Sequence, residues 1–235
     1  VKVRTTNVSE SDKQSAKVFF QALTGFWDLK GLIGLDAFGR NGQLTVPHYV
    51  SEVARLDMWE LGEEHAQALH EFREQAGPGS SVMIGDSYGF AKWTGTKYDL
   101  VVIDTPQGAH RDDKGLTHFE HFDFLEETVG RMLKDNGIVV LYCNKAPYDK
   151  TKEGSHGYDE YAEYDFDAWM TARKDFYGDW GDVSQLSEEV MLDAYRRWLH
   201  VWGWDVKKTL LVPCFSDVEG KEPYAFRLAL ELAKR

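Results

Sequence analysis

With 235 residues and a mass of 26.9 kDa, the chain is long enough to bury a substantial core without disulfide or metal staples. Its net charge of −12 sets up a mean field that repels nucleic acid, so an RNA substrate would need a local basic patch or a partner. Two cysteines, Cys143 and Cys214, are too few for a disulfide framework or a cysteine-built zinc site, and each reads as a small apolar core residue. No run approaches the roughly 18 apolar residues of a spanning helix, and the N-terminal segment lacks a signal pattern. The expectation is a soluble, cytoplasmic protein with no membrane partner.

Taken in chain order, the apolar positions Ala16, Phe19, Phe20 and Leu23 share one face of a helix over about 12–23, with Ser9 or Ser11 as its cap. Strands and helices then alternate. Strand one covers about 31–36, strand two 53–59, strand three 81–85, strand four 98–104 and strand five 137–143, with helices predicted over 63–74 and 122–133. The run Asp135-Asn136-Gly137 reads as the turn that closes the second of these helices. Continuous apolar runs such as Leu100 to Ile103 and Ile138 to Leu141 are what a parallel sheet covered on both faces requires. The tail breaks the alternation. A helix over about 187–201 is followed by two strands, 208–213 and 224–232, with only a turn between them, so they must pair antiparallel or leave the sheet.

The strand ends carry the chemistry. Strand one runs into the turn Gly34-Leu35-Asp36-Ala37-Phe38-Gly39-Arg40-Asn41-Gly42, strand two ends at Glu60, and strand three leads into Ile84-Gly85-Asp86-Ser87. A glycine turn followed by a carboxylate at the tip of the next strand is how a nucleoside cofactor is held. With the antiparallel tail, the chain resembles the class I S-adenosylmethionine-dependent methyltransferases over nearly its whole length. The resemblance implies an α/β three-layer, Rossmann-like fold: a seven-stranded, mostly parallel sheet with an antiparallel last strand, in the order 3-2-1-4-5-7-6. It also implies S-adenosylmethionine as cofactor, with Asp36, Gly39 and Gly42 around the methionine part, Glu60 on the ribose, and Asp86 with Ser87 at the adenine. Phe38, Arg40 and Asn41 depart from the family's glycine-rich turn, and the expectation is that bulk there narrows the pocket or replaces a backbone contact. A carboxylate at a strand end also has a plainer use, as the cap of the next helix.

Beyond strand four, Asp104 lies where open α/β sheets gather their reacting groups. Asp104-Thr105-Pro106-Gln107 matches the motif of amino-methylating enzymes only at the Asp and one Pro. The metal-assisted catechol-type enzymes would use Asp104 and Asn144, but Cys143 stands in place of their second Asp, and a thiol does not suit magnesium. His110, His118, Glu120, His121 and Asp123 are near one another in sequence, and more often such a run is a solvated loop and helix start; no metal is expected. The remaining pattern resembles the Lys-Asp-Lys-Glu tetrad of RNA ribose 2'-O-methyltransferases, matched here by Lys17, Asp104, Lys145 and Glu222. In such a tetrad neighbouring charge lowers one lysine's pKa so that it takes a hydroxyl proton.

Between strand five and the last helix, about 146–186, lies an insertion rich in Tyr, Phe, Trp, Asp and Glu. Its aromatics either stack on a flat substrate or form the stripe of a helix, 161–176, packed on the domain or on a protein partner. The expectation is therefore one methyltransferase-like domain, 1–235, bearing this insertion. It transfers a methyl group to an oxygen of RNA ribose or of a small hydroxylated molecule. The alternative is a non-catalytic module that keeps the fold for assembly.

Overall fold

The computed structural model describes residues 10–39, 42–104, 109–111, 116–146, 166–178, 182–215 and 223–235. Its helices are α1 (Glu10–Phe26), α2 (Ala66–Arg73), α3 (Ser87–Trp93), α4 (Phe122–Glu127), α5 (Phe166–Tyr177) and α6 (Glu188–Val201). Its strands are β1 (Ile33–Asp36), β2 (Arg55–Glu60), β3 (Ser81–Ile84), β4 (Tyr98–Ile103), β5 (Ala109–Arg111), β6 (Thr117–Phe119), β7 (Leu133–Asn144), β8 (Trp204–Phe215) and β9 (Pro223–Lys234).

Seven strands form one sheet in the order β3-β2-β1-β4-β7-β9-β8, and β5 with β6 makes a separate two-stranded ribbon. The pairs β1–β2, β1–β4, β2–β3 and β4–β7 are parallel, whereas β9 runs antiparallel to both β7 and β8. This is the topology expected from the sequence. Five parallel strands thus present their carboxyl ends along one edge.

Alternation along the strands divides the core between the two faces. Leu35, Val101, Ile103, Val139 and Leu141 join Phe124, Tyr195 and Leu199 on one face. Leu56, Met58, Leu100, Val102 and Val140 join Phe19, Phe20, Leu23 and Leu69 on the other, so α1 and α2 cover that side. Burying a side chain of this size is worth about 1.5–3 kcal/mol, which makes the register of each strand strongly specified. Within the first layer Asp57 is buried, and its charge is met by Arg55 at 2.5 Å, Ser81 Oγ at 2.7 Å and Tyr98 Oη at 3.0 Å.

Two boundaries differ from the sequence expectation. The helix predicted over 122–133 is α-helical only to Glu127, then widens into a π-type turn over Thr128–Met132. Asp135-Asn136-Gly137 does not close it. Those residues belong to the irregular start of β7, where the pairing with β4 jumps from Tyr98↔Leu133 to Leu100↔Ile138 while Asn136 and Gly137 already pair with β9. Long-range pairing with the last strand overrides the local turn signal. By contrast α6 starts as predicted: Ser187 Oγ accepts the Val190 N–H at 3.2 Å. The Ser9 cap proposed for α1 lies outside the described residues.

The insertion contributes α5. Its buried face carries Trp169, Phe176 and Tyr177, and Phe176 stacks on Phe122 with ring centroids 4.2 Å apart. These aromatics therefore pack on the domain, as the helical-stripe alternative required. Tyr148, Tyr158, Tyr161, Tyr164 and Trp180 lie outside the described residues. No helix among the described residues is long and apolar enough to cross a membrane.

Candidate active site at the carboxyl edge of the sheet

Asp36 is the last residue of β1 and faces the α1 side, opposite to Leu35. It is fully buried, and its Oδ2 accepts hydrogen bonds from Thr45 Oγ1 at 2.7 Å and Tyr49 Oη at 2.8 Å. Its Oδ1 is buried with no hydrogen-bond partner among the described residues. Burial pushes the Asp36 carboxyl up to about 6 despite the two hydroxyl donors, and the negative charges of Asp104 and Glu60 push in the same direction. A buried carboxylate oxygen without a donor is costly, about 1–3 kcal/mol or more for a charged group, and is a strong sign of a missing cationic or N–H partner.

The glycine turn is explained largely by its own packing. The Gly39 N–H bonds to the Trp59 carbonyl at 2.9 Å, which ties the turn to β2, and the Gly42 N–H closes on the Gly39 carbonyl at 2.6 Å. Gly42 has a φ of +73°, and a Cβ there would lie 2.6 Å from Phe72 Cδ2. Phe38 turns away from the sheet edge into the core, edge-on to Tyr88 and Phe124 at centroid distances of 6.0 and 4.8 Å. The bulk expected to narrow the pocket at Phe38 is thus directed elsewhere; Arg40 and Asn41 lie outside the described residues.

Glu60 ends β2, half-buried, and its Oε1 accepts the Gly62 N–H at 2.9 Å. Asp86 follows β3 and is the N-cap of α3, with Oδ1 accepting from Tyr88 N and Oδ2 from Gly89 N, both at 3.1 Å. Ser87 is buried and donates to the Ala37 carbonyl, so it staples β3's exit to the turn after β1. The structure therefore brings Asp36, Gly39, Glu60, Asp86 and Ser87 to one edge, with the capping and stapling bonds accounting for part of what holds them there.

Asp104 follows β4 on the same face as Asp36. Its Oδ1 accepts from Arg227 Nη1 at 3.2 Å. Arg227 lies on β9, only 1% exposed, with its guanidinium 4.8 Å from the centre of the Tyr142 ring. Its neighbours on β9, Phe226 and Leu228, face the opposite layer, so Arg227 points to the α1 side. Of the proposed tetrad, Lys17 is exposed on α1, and Lys145 follows β7, its N–H bonded to the Tyr224 carbonyl and its carbonyl accepting from Leu186 N. Glu222 lies outside the described residues. The cation paired with Asp104 is thus one the tetrad does not contain. Arg227 escaped the sequence reading, although a single charge inside the apolar run Tyr224-Ala225-Phe226-Arg227-Leu228-Ala229-Leu230 of an interior strand was the signal for it. Thr45 and Tyr49, which bond to Asp36, had no such signal, nor did His48, which stacks on Phe20. His48 is held below its ordinary pKa by burial, then by the positive charges of Lys17 and Arg227.

On the opposite face a second polar cluster fixes α5. Glu120, at a φ of 49°, accepts from Trp169 Nε1 at 3.1 Å and from Arg173 Nη1. Arg173 also donates to the carbonyls of Val183 at 2.8 Å, Lys145 at 3.2 Å and Asn144 at 3.3 Å. His121 contacts Tyr195 Oη through Nε2 at 2.5 Å, and burial, followed by the Arg173 charge, lowers its pKa to about 3, so it stays neutral. His118 pairs with Asp123 at 3.0 Å. The histidines and acids that the sequence places together are thus engaged in separate contacts, and among the described residues no three His, Cys, Asp or Glu side chains converge as a metal-ligand set. The side chain of His110 lies outside the described residues.

No family model matches the chain, and no curated protein matches it in sequence. Solved structures do. TYW2 of M. jannaschii, crystallised in complex with AdoMet, aligns with all of this chain and 81% of its own, with a TM-score of 0.58 at 12% identity. This chain has the class I methyltransferase fold. A putative transferase from Pyrococcus horikoshii aligns over the whole of this chain and 68% of its own, with a TM-score of 0.60 at 13% identity. Trm5b of Pyrococcus abyssi aligns over 99% of this chain at a TM-score of 0.55 and 14% identity, and there the methyltransferase fold seen here spans only 52% of the relative.

Proposed function

We propose that the protein is an S-adenosylmethionine-dependent methyltransferase that acts on a hydroxyl oxygen. The observation that carries this reading is Asp36, a buried carboxylate at the end of β1 with one oxygen unpartnered, in a fold shared with a protein crystallised with AdoMet. An ammonium group is the donor such an oxygen lacks, and the methionine part of the cofactor has one. Glu60 is assigned to the ribose hydroxyls. Asp86, whose carboxylate is already oriented by two backbone N–H groups, is assigned with Ser87 to the adenine end, and Gly39 and Gly42 to the floor of the turn. When bound, the sulfonium supplies an electrophilic methyl group.

The residues around β4 supply orientation and proton handling. Arg227 holds Asp104 through Oδ1, which leaves Oδ2 as the atom assigned to the acceptor hydroxyl. A carboxylate at hydrogen-bond distance directs the oxygen lone pair and stabilises the positive charge that develops on that oxygen until its proton leaves. Lys145 is retained as the candidate proton acceptor, with Lys17 as the charged member of the pair and Glu222 as their orienting acid. An RNA ribose or a small hydroxylated molecule fits this chemistry.

The test is isothermal titration with S-adenosylmethionine and S-adenosylhomocysteine, with NAD as control, on the wild type and on Glu60→Ala and Asp86→Ala. Saturable binding of the first two ligands, weakened in both variants, is expected. A folded protein that binds neither would overturn the enzymatic reading and leave an assembly module with this fold.

A further inference from the structure

Arg227 uses only one of its nitrogens. Nη1 holds Asp104, whereas Nε and Nη2 are buried and have no hydrogen-bond partner among the described residues. Those two nitrogens form the side-on edge of the guanidinium, the edge whose two parallel N–H groups match the oxygens of a carboxylate or a phosphate. An unsatisfied buried donor is costly, so two of them on a side chain 1% exposed call for a partner.

The two parallel donors suit an oxyanion, which would sit beside the carboxylate of Asp104 and near those of Asp36 and Asp12. Arg227 lies at the carboxyl edge next to Asp104, and the charges of Lys17 and Arg227 are both felt at half-buried His48. The Tyr142 ring beneath the guanidinium fixes its plane without using its N–H groups. Asp104 neutralises Arg227 through Nη1 only, and Lys17 adds positive charge from α1.

We propose that the free edge of Arg227 binds an oxyanion of the acceptor substrate, a carboxylate or a phosphate, and so makes Arg227 the residue that selects an anionic acceptor and sets its hydroxyl beside Asp104. The assignment of this anion to the acceptor rests on the methyl-transfer reading; the oxyanion site itself does not.

The test is ¹H–¹⁵N spectroscopy of the Arg227 side chain in the full chain, without cofactor, identified by its contact with the Tyr142 ring and by its absence in Arg227→Lys. Sodium phosphate and sodium acetate are titrated separately, with sodium chloride as the ionic-strength control. A saturable shift of the Nε–H signal with phosphate, acetate or both, and none with chloride, is expected. The anion that saturates at the lower concentration tells a phosphate-bearing acceptor from a carboxylate-bearing one. A signal that does not move, or that moves alike with chloride, overturns the proposal whether or not S-adenosylmethionine binds. A saturable shift in a protein that binds no S-adenosylmethionine keeps the oxyanion site and removes the methyl-transfer reading instead.

Discussion

Replacing Asp36 with Asn tests the central feature of the site, because the change should stabilise the fold while weakening cofactor binding. Burial raises the Asp36 carboxyl from 3.8 to about 6. Between those values the folded protein binds more protons than the unfolded chain, so stability is highest below about pH 4 for this group and falls as pH rises through about 6. Two pKa units at about 1.4 kcal/mol each amount to about 3 kcal/mol of destabilisation near neutrality. An Asn oxygen can still accept from Thr45 and Tyr49, but its amide then occupies the unpartnered position of Oδ1 and takes back about 1 kcal/mol. The net expectation is that Asp36→Asn is about 2 kcal/mol more stable than wild type in urea unfolding near pH 7.5. At about pH 3, below both values, the wild-type carboxyl is largely protonated in both states and the advantage should vanish. A bond from an ammonium to a carboxylate is worth about 1.5–3 kcal/mol, so titration with S-adenosylmethionine should show about ten- to hundredfold weaker binding. A variant that is no more stable than wild type at the higher pH, or whose advantage does not depend on pH, would refute the account of Asp36 as a carboxylate held against its desolvation.

Asp104→Asn, which retains an acceptor for Arg227, should lower turnover by about a hundredfold or more, measured by methyl transfer from labelled cofactor. Its cofactor affinity should stay within about tenfold, and a larger loss would move Asp104 into the cofactor site. Arg173→Met leaves Glu120 buried without its cation and should cost about 3–5 kcal/mol in urea unfolding; most of that should return in the double variant with Glu120→Gln, and additivity would show that the pair does not act as one. Gly42→Ala combines a positive φ with a contact to Phe72 and should lose about 1–3 kcal/mol, read from the shift in the unfolding midpoint.

The sheet was legible because its signals are periodic and local. Leu100 to Ile103 and Ile138 to Leu141 are continuous apolar runs, the two tail strands have no helix between them, and these facts suffice for a parallel sheet with an antiparallel end. The carboxylates Asp36, Glu60, Asp86 and Asp104 were found because each ends or follows a strand. What could not be read is the identity of partners distant in sequence. Asp104 and Arg227 are 123 residues apart, and only the insertion of β9 beside β7 brings them together. The turn Asp135-Asn136-Gly137 misled for the same reason, since its fate is decided by pairing with residues near 233. At Asp86 and Gly42 the sequence suggested a cofactor contact, and the structure adds helix capping and ring packing, uses that single-residue pattern does not distinguish from ligand binding.

The position of β9 has a consequence for how the molecule assembles. It is the last strand in sequence yet lies inside the sheet, between β7 and β8. Until it is inserted, β7 and β8 each expose a row of unpaired backbone groups, an edge open to other chains. Closing that gap joins residues far apart in sequence, a late and slow event in the folding of such topologies. The same strand delivers Arg227 to Asp104. A nascent or truncated chain with β1 to β4 already in place would therefore have Asp104 without its counter-ion, and this edge of the sheet would be completed only in molecules whose folding has run to its end.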